Sequence, residues 1–459
     1  MPVFTLKSEE EATAADGGFF ARFFPASARN GKGAAFSGNA ALLPARLARL
    51  FRKTAHGRDE INNVTCTAAK RLPAARRSAI IDGGMKKVFA AAWRFMKREA
   101  VLCVSVLLAV LSACFVPPDE GYLGYVDWDT LALLFALMGV MQGFQRAGLF
   151  AFLAERLLRR ANTSKKLMAA LVFLPFFLSM AVTNDVSLIT FVPFAIVTLK
   201  AAKLERLLLP TVVLQTLAAN LGSTLTPMGN PQNLYLYNLS GMGFGDVVLT
   251  MLPYAALSAV LLGAAVLCFP SVPAERAQSE AKLAGAFRLA WPAVGFAVCL
   301  LGLFKIVPPL VIAALLLLFL LFADRRSLTK IDYSLLGTFV ALFVFIGNMG
   351  RIAPFREFLS SVIAGNEMPV ALLASQVISN VPAALLLAGF TQDYAALMVG
   401  CNLGGLGTLI ASMASLISFK SIAKEYPSLR GKYLLQFTLY NIAFLAPLTG
   451  LYYLLAFLS

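Results

Sequence analysis

The chain has 459 residues, of which 59% are hydrophobic, and its mean hydropathy is +0.74. This composition excludes an ordinary soluble globular protein, in which about 45–50% of residues are apolar. The formal net charge of +16 predicts cytoplasmic loops rich in Lys and Arg, as in polytopic membrane proteins, and not a nucleic-acid partner. The single histidine, His56, lies outside the apolar segments, which excludes histidine chemistry inside a membrane.

Residues 1–84 differ from the rest of the chain. They are basic, rich in Ala, Arg and Gly, and contain no apolar run long enough to cross a bilayer, so a disordered extension is predicted. The alternative is that the native chain begins at Met85, because Lys86 and Lys87 provide the short basic leader expected before a first membrane helix. The intact mass of the natively expressed protein distinguishes the two.

The charges of the first loops set the orientation of the chain. Spans are predicted at about 99–116 and 129–149; the loop between them is acidic, whereas residues 151–166 contain several Arg and Lys. The positive-inside rule therefore places the N-terminus in the cytoplasm, residues 117–128 outside and residues 151–166 inside.

The next apolar stretch, residues 167–199, is interrupted by Thr183-Asn184-Asp185 and flanked on both sides by basic loops. Two full crossings and a turn need about 40 residues. A re-entrant hairpin that enters and leaves from the cytoplasm is therefore predicted, with its polar tip at depth. Two short spans joined by a polar outer turn are the alternative.

Residues 207–240 are predicted to form a discontinuous helix. The stretch from Asn220 to Asn233 places amides, hydroxyls, two glycines and two prolines inside an apolar segment. In hydrocarbon, irregular backbone survives only where protein or a water-filled cavity surrounds it, which favours a binding site. A Pro/Gly kink whose freed carbonyls are satisfied by Ser and Thr is the alternative.

The remaining apolar segments complete the membrane region. They are ordinary spans at about 246–269, 288–304, 309–323, 333–350 and 433–457, a second re-entrant hairpin at 368–390, and a second discontinuous helix at 395–418. Reading 368–390 as one ordinary span would place the basic loop that follows residue 418 outside, against the positive-inside rule.

An internal repeat relates two parts of the chain. Residues 127–137 are echoed by residues 332–342, an offset of 205 residues that also pairs Arg146 with Arg351. A hairpin with an Asn at its tip and a helix break that begins Asn-Leu-Gly follow each copy in the same order. The predicted divisions are a first half, a linker with two spans and a second half, at residues 85–270, 271–331 and 332–459.

Loop charges give the two repeats opposite directions. The first repeat begins in the acidic outer loop, and the second begins inside, beside the basic cluster at residues 325–330. Inverted repeats whose discontinuous helices meet near the midplane are the architecture of secondary transporters. The predicted fold is an all-α polytopic membrane protein, an inverted-repeat transporter with two re-entrant hairpins and two discontinuous helices.

At the hairpin tips and helix breaks the sequence resembles the ion transporter superfamily. That group includes citrate transporters, divalent anion–sodium symporters, arsenite efflux permeases and sodium/proton antiporters. The most specific motif is Gly-Asn-Pro-Gln-Asn at residues 229–233, and the resemblance covers about residues 99–457, in the citrate transporter-like, anion permease branch. Both tips carry Ser-Asn-Thr in the symporters of this group, whereas here they read Thr-Asn-Asp at 183–185 and Ser-Asn-Val at 379–381.

Two groups of site residues are predicted at these interruptions. Free N–H groups and positive dipole ends of half-helices favour an anion, and the predicted solute-binding residues are Thr183, Asn184, Asn230, Ser379, Asn380 and Thr408. Oxygen ligands suit a hard cation such as Na⁺, and the predicted coupling-ion residues are Asp185, Asn220, Gly222, Thr226, Gly229, Asn402, Gly404 and Gly407.

Asp185 is the one carboxylate that the sequence places within the membrane. A buried carboxylate must be paired, bind a cation or be protonated, and no Lys or Arg of the membrane segments is close in sequence. We therefore predict a site for the coupling ion or proton. The alternative is a carboxylate that caps the second helix of the hairpin. Arg146 and Arg351, at the ends of spans, are predicted to be interfacial anchors.

The sequence predicts a secondary active transporter of a small anion, a di- or tricarboxylate such as citrate, coupled to Na⁺ or H⁺. An arsenite or metalloid efflux permease, a cation/proton antiporter and an ion channel are the open alternatives. An enzyme is not expected, since a nucleophile, base or metal cluster would be needed at depth, and no cofactor beyond the coupling ion is predicted. The expected location is the plasma (inner) membrane, and the resemblance implies a homodimer.

Overall fold

The computed structural model describes four stretches of the chain, namely residues 93–96, 99–158, 161–274 and 285–458. Regular structure in these stretches is helical, apart from one isolated bridge between Thr163 and Pro273. The prediction of an all-helical chain is confirmed for them. The predicted extension at residues 1–84 lies outside the described residues.

In the first part of the chain the helices other than α3 follow the predicted segments. Their bounds are α1 Ala100–Ala113, α2 Trp128–Arg146, α3 Leu149–Leu158, α4 Ser164–Leu178, α5 Asn184–Ala201, α6 Leu208–Gly222, α7 Pro231–Ser240 and α8 Phe244–Leu267.

The second part repeats this order after two further apolar helices. The bounds are α9 Ala286–Leu303, α10 Pro309–Ala323, α11 Arg325–Leu328, α12 Tyr333–Arg351, α13 Ala353–Ile363, α14 Glu367–Ile378, α15 Asn380–Ala388, α16 Tyr394–Leu403, α17 Met413–Glu425 and α18 Arg430–Leu458.

Several helices match the dimensions of a bilayer. Five in the described ranges are long and apolar enough to cross a membrane, and up to seven if each bent pair of helices forms one span. The bent pairs are α2 with α3, at 55°, and α13 with α14, at 113°. Helices α3 and α13 were not predicted from the sequence, because both are short and carry charged residues.

Helices α4 and α5 fold back on each other as a hairpin. Gln215 of α6 donates its side-chain amide to the carbonyl of Leu171 at 2.8 Å and to that of Phe191 at 3.4 Å. Leu171 and Phe191 lie at equal distances in sequence before and after the turn that joins α4 to α5. One side chain reaches both because the two helices run antiparallel, as the re-entrant hairpin predicted at residues 167–199 and its alternative of two short spans both require. Helix α5 is one of the five helices long and apolar enough to cross a membrane.

A single residue separates α14 from α15. Ser379 has φ 72° and ψ 152°. Residues other than glycine rarely adopt this backbone conformation, and where they do it is often at functional sites. The Ser379 hydroxyl donates to the carbonyl of Ala411 at 3.3 Å, and the Asn380 N–H donates to the same oxygen at 2.9 Å. These contacts hold the turn against the chain just before α17.

Both predicted helix breaks are present. Two short 3-10 turns, Ser223–Leu225 and Pro227–Gly229, join α6 to α7. Helix α7 then starts with Pro231 in its first turn and Asn230 as its N-cap, and it ends at Gly241 with φ 70°. Proline suits a first helical turn and glycine a left-handed C-cap. An irregular segment, residues 404–412, likewise separates α16 from α17.

The repeat includes the residues that cap the first helix of each half. Asp127 and Asp332, again 205 residues apart, cap α2 and α12 with carboxylates that each accept a backbone N–H at 3.0 Å. Helix α1 packs against α12, and α10 packs against α2. The helix preceding each repeat therefore lies on the first helix of the other.

The core of the molecule surrounds α6. This helix is almost wholly buried and is packed by α4, α5, α8 and α18. Its buried polar side chains include Thr211, Gln215, Thr216 and Asn220. A polar stripe inside the best-shielded helix is costly unless its groups are hydrogen-bonded, and it leads directly to the break that follows Gly222.

Candidate solute and ion site

The amides at the two helix breaks bond across the repeats. Asn402, near the end of α16, donates to the side-chain oxygen of Asn233 at 2.6 Å, and Asn230 donates to the side-chain oxygen of Asn402 at 3.0 Å. Asn230 also accepts the backbone N–H of Asn233 at 3.0 Å as the N-cap of α7. Asn402 of the second repeat thus holds the start of a half-helix of the first.

Asn220 makes the corresponding contacts in the other direction. Its amide donates to the Ser415 hydroxyl at 3.3 Å, and its oxygen accepts the Ser412 hydroxyl at 3.2 Å. The offset between Asn220 and Asn402 also relates Asn230 to Ser412 and Asn233 to Ser415. Each break therefore supports the half-helix of the other repeat.

The tip of the first hairpin joins this network. The side-chain amide of Asn184 donates to the side-chain oxygen of Asn220 at 3.1 Å, and its oxygen accepts the backbone N–H of Asp185 at 2.9 Å. Thr226 donates its hydroxyl to the carbonyl of Met180, on the near side of the turn. Hairpin and broken helix are thereby fixed to each other by buried polar contacts, which are strong where water is excluded.

A cavity of about 580 Å³ opens beside this network, and we call it the inner cavity. Thr183, Asp185 and Asn230, three of the predicted site residues, line it together with apolar side chains. Its other polar or charged lining residues include Glu99, Gln142, Lys330 and Asp332. These four were not predicted from the sequence, since Glu99 begins an ordinary span, Gln142 lies within one, and Lys330 and Asp332 lie in a loop.

Asp185 lies in the first turn of α5, and its carboxylate faces the inner cavity. No hydrogen bond or ion pair reaches this carboxylate from any residue in the described ranges. The N-cap of α5 is Thr183, which makes no side-chain capping bond. Asp185 therefore does not take the capping role that the sequence allowed, and its oxygens are available to a cation or a proton.

A second cavity of about 800 Å³, the outer cavity, lies at the other end of α7. Tyr235 and Asn238 of α7 line it, with charged groups that include Asp127, Asp129 and Lys305. Leu234 lines the inner cavity and the next residue, Tyr235, lines the outer one, so α7 passes between the two cavities. The ring of Tyr235 packs against that of Phe343 at a centroid distance of 5.5 Å.

The structure divides the predicted site residues into groups. Thr183, Asp185 and Asn230 share the inner cavity, and Asn184, Asn220 and Asn402 belong to the amide network. Gly222 and Gly229 pack closely on Phe176 and Ser223 backbone atoms. The other group lies around the second turn and break: Ser379, Asn380, Gly404, Gly407 and Thr408.

Thr408 differs most from the prediction. Its side chain is exposed, and its hydroxyl donates to the backbone carbonyl of Gln376 at 3.1 Å. It does not line the inner cavity. Ser412, Ser415 and Gln376 were not predicted from the sequence. The offset between Asn220 and Asn402, when it is applied to Asn230 and Asn233, identifies the two serines.

Comparison with known proteins identifies a family and several similar proteins. A family described as "Citrate transporter" matches residues 88–415. An uncharacterized transporter of Methanocaldococcus jannaschii is 31% identical over 328 residues, 70% of this chain and 87% of the relative. The inner membrane protein YbiR of Escherichia coli is 29% identical over 71% of this chain and 89% of its own length. The silicon efflux transporter LSI3 of Oryza sativa subsp. japonica is 32% identical over 32% of this chain and 30% of its own.

Proposed function

Because this chain belongs to the citrate transporter family, and is thus an integral membrane transporter and not an enzyme, we propose that it is a secondary active carrier. Its proposed solute is a small anion, a di- or tricarboxylate such as citrate, and its driving ion is Na⁺ or H⁺. The inner cavity carries this proposal, because a hairpin tip, the start of a half-helix and the carboxylate of Asp185 meet there.

The start of α7 is the proposed contact for the anion. Asn230 lines the inner cavity and caps α7, so the positive end of the helix dipole lies close to the cavity. Such ends favour carboxylates. The volume of about 580 Å³ is within the range of small-molecule sites, roughly 300–1,000 Å³.

Asp185 is the proposed binding site of the coupling ion. An unpaired carboxylate at membrane depth is costly unless a cation or proton neutralises it. Binding of Na⁺ or H⁺ at Asp185 would remove the charge that otherwise repels an anion in the same cavity. Solute and ion therefore favour each other's binding, which is the requirement for coupled transport.

Alternating access in an inverted repeat with re-entrant hairpins is the proposed mechanism. Arg146, at the end of α2, pairs with Asp324 ahead of α12, and Arg351, at the end of α12, pairs with Asp119 ahead of α2. This reciprocal pairing supports opposite directions for the two helices. The inner and outer cavities then open to opposite sides, with Tyr235 and Phe343 forming the barrier between them. A plasma-membrane location, a cytoplasmic N-terminus and a homodimer belong to the same proposal.

A neutral metalloid hydroxide, moved in exchange for protons, is the second candidate solute. The observation that favours it is the lining of the inner cavity, in which Glu99, Asp185 and Asp332 are acidic and Lys330 is basic. An excess of acidic groups disfavours an anion and does not disfavour an uncharged hydroxide. The partial similarity to a silicon efflux transporter adds support.

Uptake by proteoliposomes tests the proposal. Purified protein is reconstituted, and labelled citrate, succinate and arsenite are offered with an inward Na⁺ gradient, with a pH gradient and with neither. The proposal predicts accumulation of a carboxylate above its external concentration under one of the gradients. Accumulation of arsenite alone would select the second candidate. Equal, gradient-independent equilibration of every solute would exclude a coupled carrier.

A further inference from the structure

The break of the second repeat already contains a group that satisfies its carbonyl oxygens. The side-chain amide nitrogen of Gln376, in α14, lies 2.9 Å from the carbonyl oxygens of Gly404 and Leu406. It also lies 3.2 Å from the carbonyl oxygen of Leu372. The Gln376 side-chain oxygen accepts the backbone N–H of Thr408 at 2.9 Å.

This arrangement has the form of a cation site. Three carbonyl oxygens converge on one nitrogen, although a primary amide has only two N–H bonds to donate. Unwound carbonyls at discontinuous helices are the groups that coordinate Na⁺ in transporters of this architecture. The left-handed φ of 115° at Gly407 brings the loop against Gln376. A cation and the Gln376 amide would thus compete for the same oxygens.

The first repeat has the same backbone contact but not the same side chain. Thr226 donates its hydroxyl to the carbonyl of Met180, just as Thr408 donates to the carbonyl of Gln376. Met180 therefore occupies the position of Gln376, and a thioether has no proton to donate.

The two repeats also differ in which one has an acidic side chain at its hairpin tip. Asp185 follows the Asn of the first hairpin tip, and Val381 follows the Asn of the second. The first repeat thus has a carboxylate and no glutamine, and the second has a glutamine and no carboxylate. A carboxylate attracts a cation, whereas the amide of a glutamine replaces one.

We propose that the side-chain amide of Gln376 takes the place of a cation in the second repeat, so that the coupling ion binds in the first repeat alone. This inference rests on the proposed function and specifies its stoichiometry as one coupling ion per chain. The two pseudo-symmetric positions then have different roles. The first responds to the ion gradient, and in the second the loop carbonyl oxygens stay hydrogen-bonded to Gln376.

Equilibrium binding of radioactive Na⁺ to the purified protein tests the inference. The wild-type chain is expected to bind at most one Na⁺, or none if the coupling ion is H⁺, and Asp185→Asn should bind none. Gln376→Glu, which keeps the shape of the side chain and exchanges a donor for a charged acceptor, should gain one Na⁺ site. The gain should persist in Asp185→Asn/Gln376→Glu.

Gln145→Glu is the matched control, because Gln145 is also half-buried in a helix and donates to a side-chain hydroxyl at 3.5 Å. Within the described ranges no backbone carbonyl accepts a hydrogen bond from it. Gln145→Glu should gain no site. Two Na⁺ per wild-type chain, or a folded, monodisperse Gln376→Glu protein that binds no more Na⁺ than wild type, would overturn the inference. The wild-type count is decisive even if Gln376→Glu does not fold. These are binding counts, so failure of solute transport, which would refute the proposed function, remains a separate result.

Discussion

At the residue scale, two glycines let the hairpins approach the broken helices. A Cβ at Gly222 would overlap the carbonyl oxygen of Phe176 and lie 2.6 Å from the hydroxyl of Ser179. At Gly404, the corresponding position, a Cβ would lie 2.6 Å from the hydroxyl of Ser375. The same close contact is therefore built twice, once in each repeat.

We expect Gly222→Ala to destabilise the protein by about 1–3 kcal/mol, the usual cost of forcing an extra carbon into a close-packed contact. Thermal unfolding in detergent provides the measurement. Gly263→Ala is the matched control, because the nearest atom to a Cβ there is 3.9 Å away, and it should leave the melting temperature nearly unchanged. Equal melting temperatures for both variants would show that the hairpin is not tightly packed on α6.

Single residues were predicted well where polarity contradicts a lipid environment. Asn184, Asn220 and Asn402 are conspicuous in apolar segments, and the structure brings each into the buried network. Ser412 and Gln376 were missed because serine and glutamine within a helical segment have ordinary structural uses. What distinguishes them is their partners, which depend on how distant helices cross.

At the element scale, the ion pairs Arg351–Asp119 and Arg146–Asp324 link each repeat to the segment that precedes the other repeat. Arg351 reaches the Asp119 carboxylate at 2.5 and 3.3 Å, and Arg146 contacts Asp324 and Ser327. Asp119 and Asp324 are separated by the same offset as the two arginines. The arginines were predicted to be interfacial anchors, and the structure gives them protein partners.

We expect Asp119→Asn to lower the melting temperature slightly at neutral pH, since both partners are partly exposed and surface pairs contribute little. The hydrogen bond from Arg351 lowers the pKa of Asp119 below its usual value. The stabilisation that this ion pair contributes is therefore fully present above the usual pKa of an aspartate. It is lost as the pH falls through the lowered pKa of Asp119. The difference between wild type and variant should shrink in acid.

Melting temperatures measured between neutral and acidic pH check this expectation, and the exchanged pair Asp119→Arg/Arg351→Asp should recover part of the loss. A difference that grows toward acid, or an exchanged pair less stable than either single variant, would mean that the contact does not stabilise the fold.

Elements were predictable where length and polarity were distinctive. The spans, the hairpins and the two breaks follow from apolar runs interrupted by Asn, Gly and Pro. Helices α3 and α13 could not be found in that way, because short helices with charged residues resemble loops at a membrane surface. The bends of 55° and 113° contain Gly148 and Gly365, whose left-handed φ values are 74° and 71°. A glycine therefore marks each bend, but a glycine in a polar stretch does not by itself predict helices on both sides of it.

At the scale of the whole molecule, the proposal requires that equivalent loops lie on opposite sides of the membrane. The loop after the first hairpin contains Lys203, and the loop after the second contains Gln392; both residues are exposed. In a cysteine-free background, Gln392→Cys should react with an impermeant maleimide on intact cells. Lys203→Cys should react only after permeabilisation. Labelling of both from the same side would exclude the inverted arrangement.

The most direct test of the central claim is solute accumulation by Asp185→Asn. Proteoliposomes containing wild type should concentrate the solute under the effective ion gradient. Those containing Asp185→Asn should bring it only to equal concentrations, because the variant has no carboxylate to receive the ion. Asp119→Asn, which removes a carboxylate outside both cavities, should accumulate solute as wild type does. Normal accumulation by Asp185→Asn, with unchanged dependence on Na⁺ and pH, would contradict the role assigned to the inner cavity.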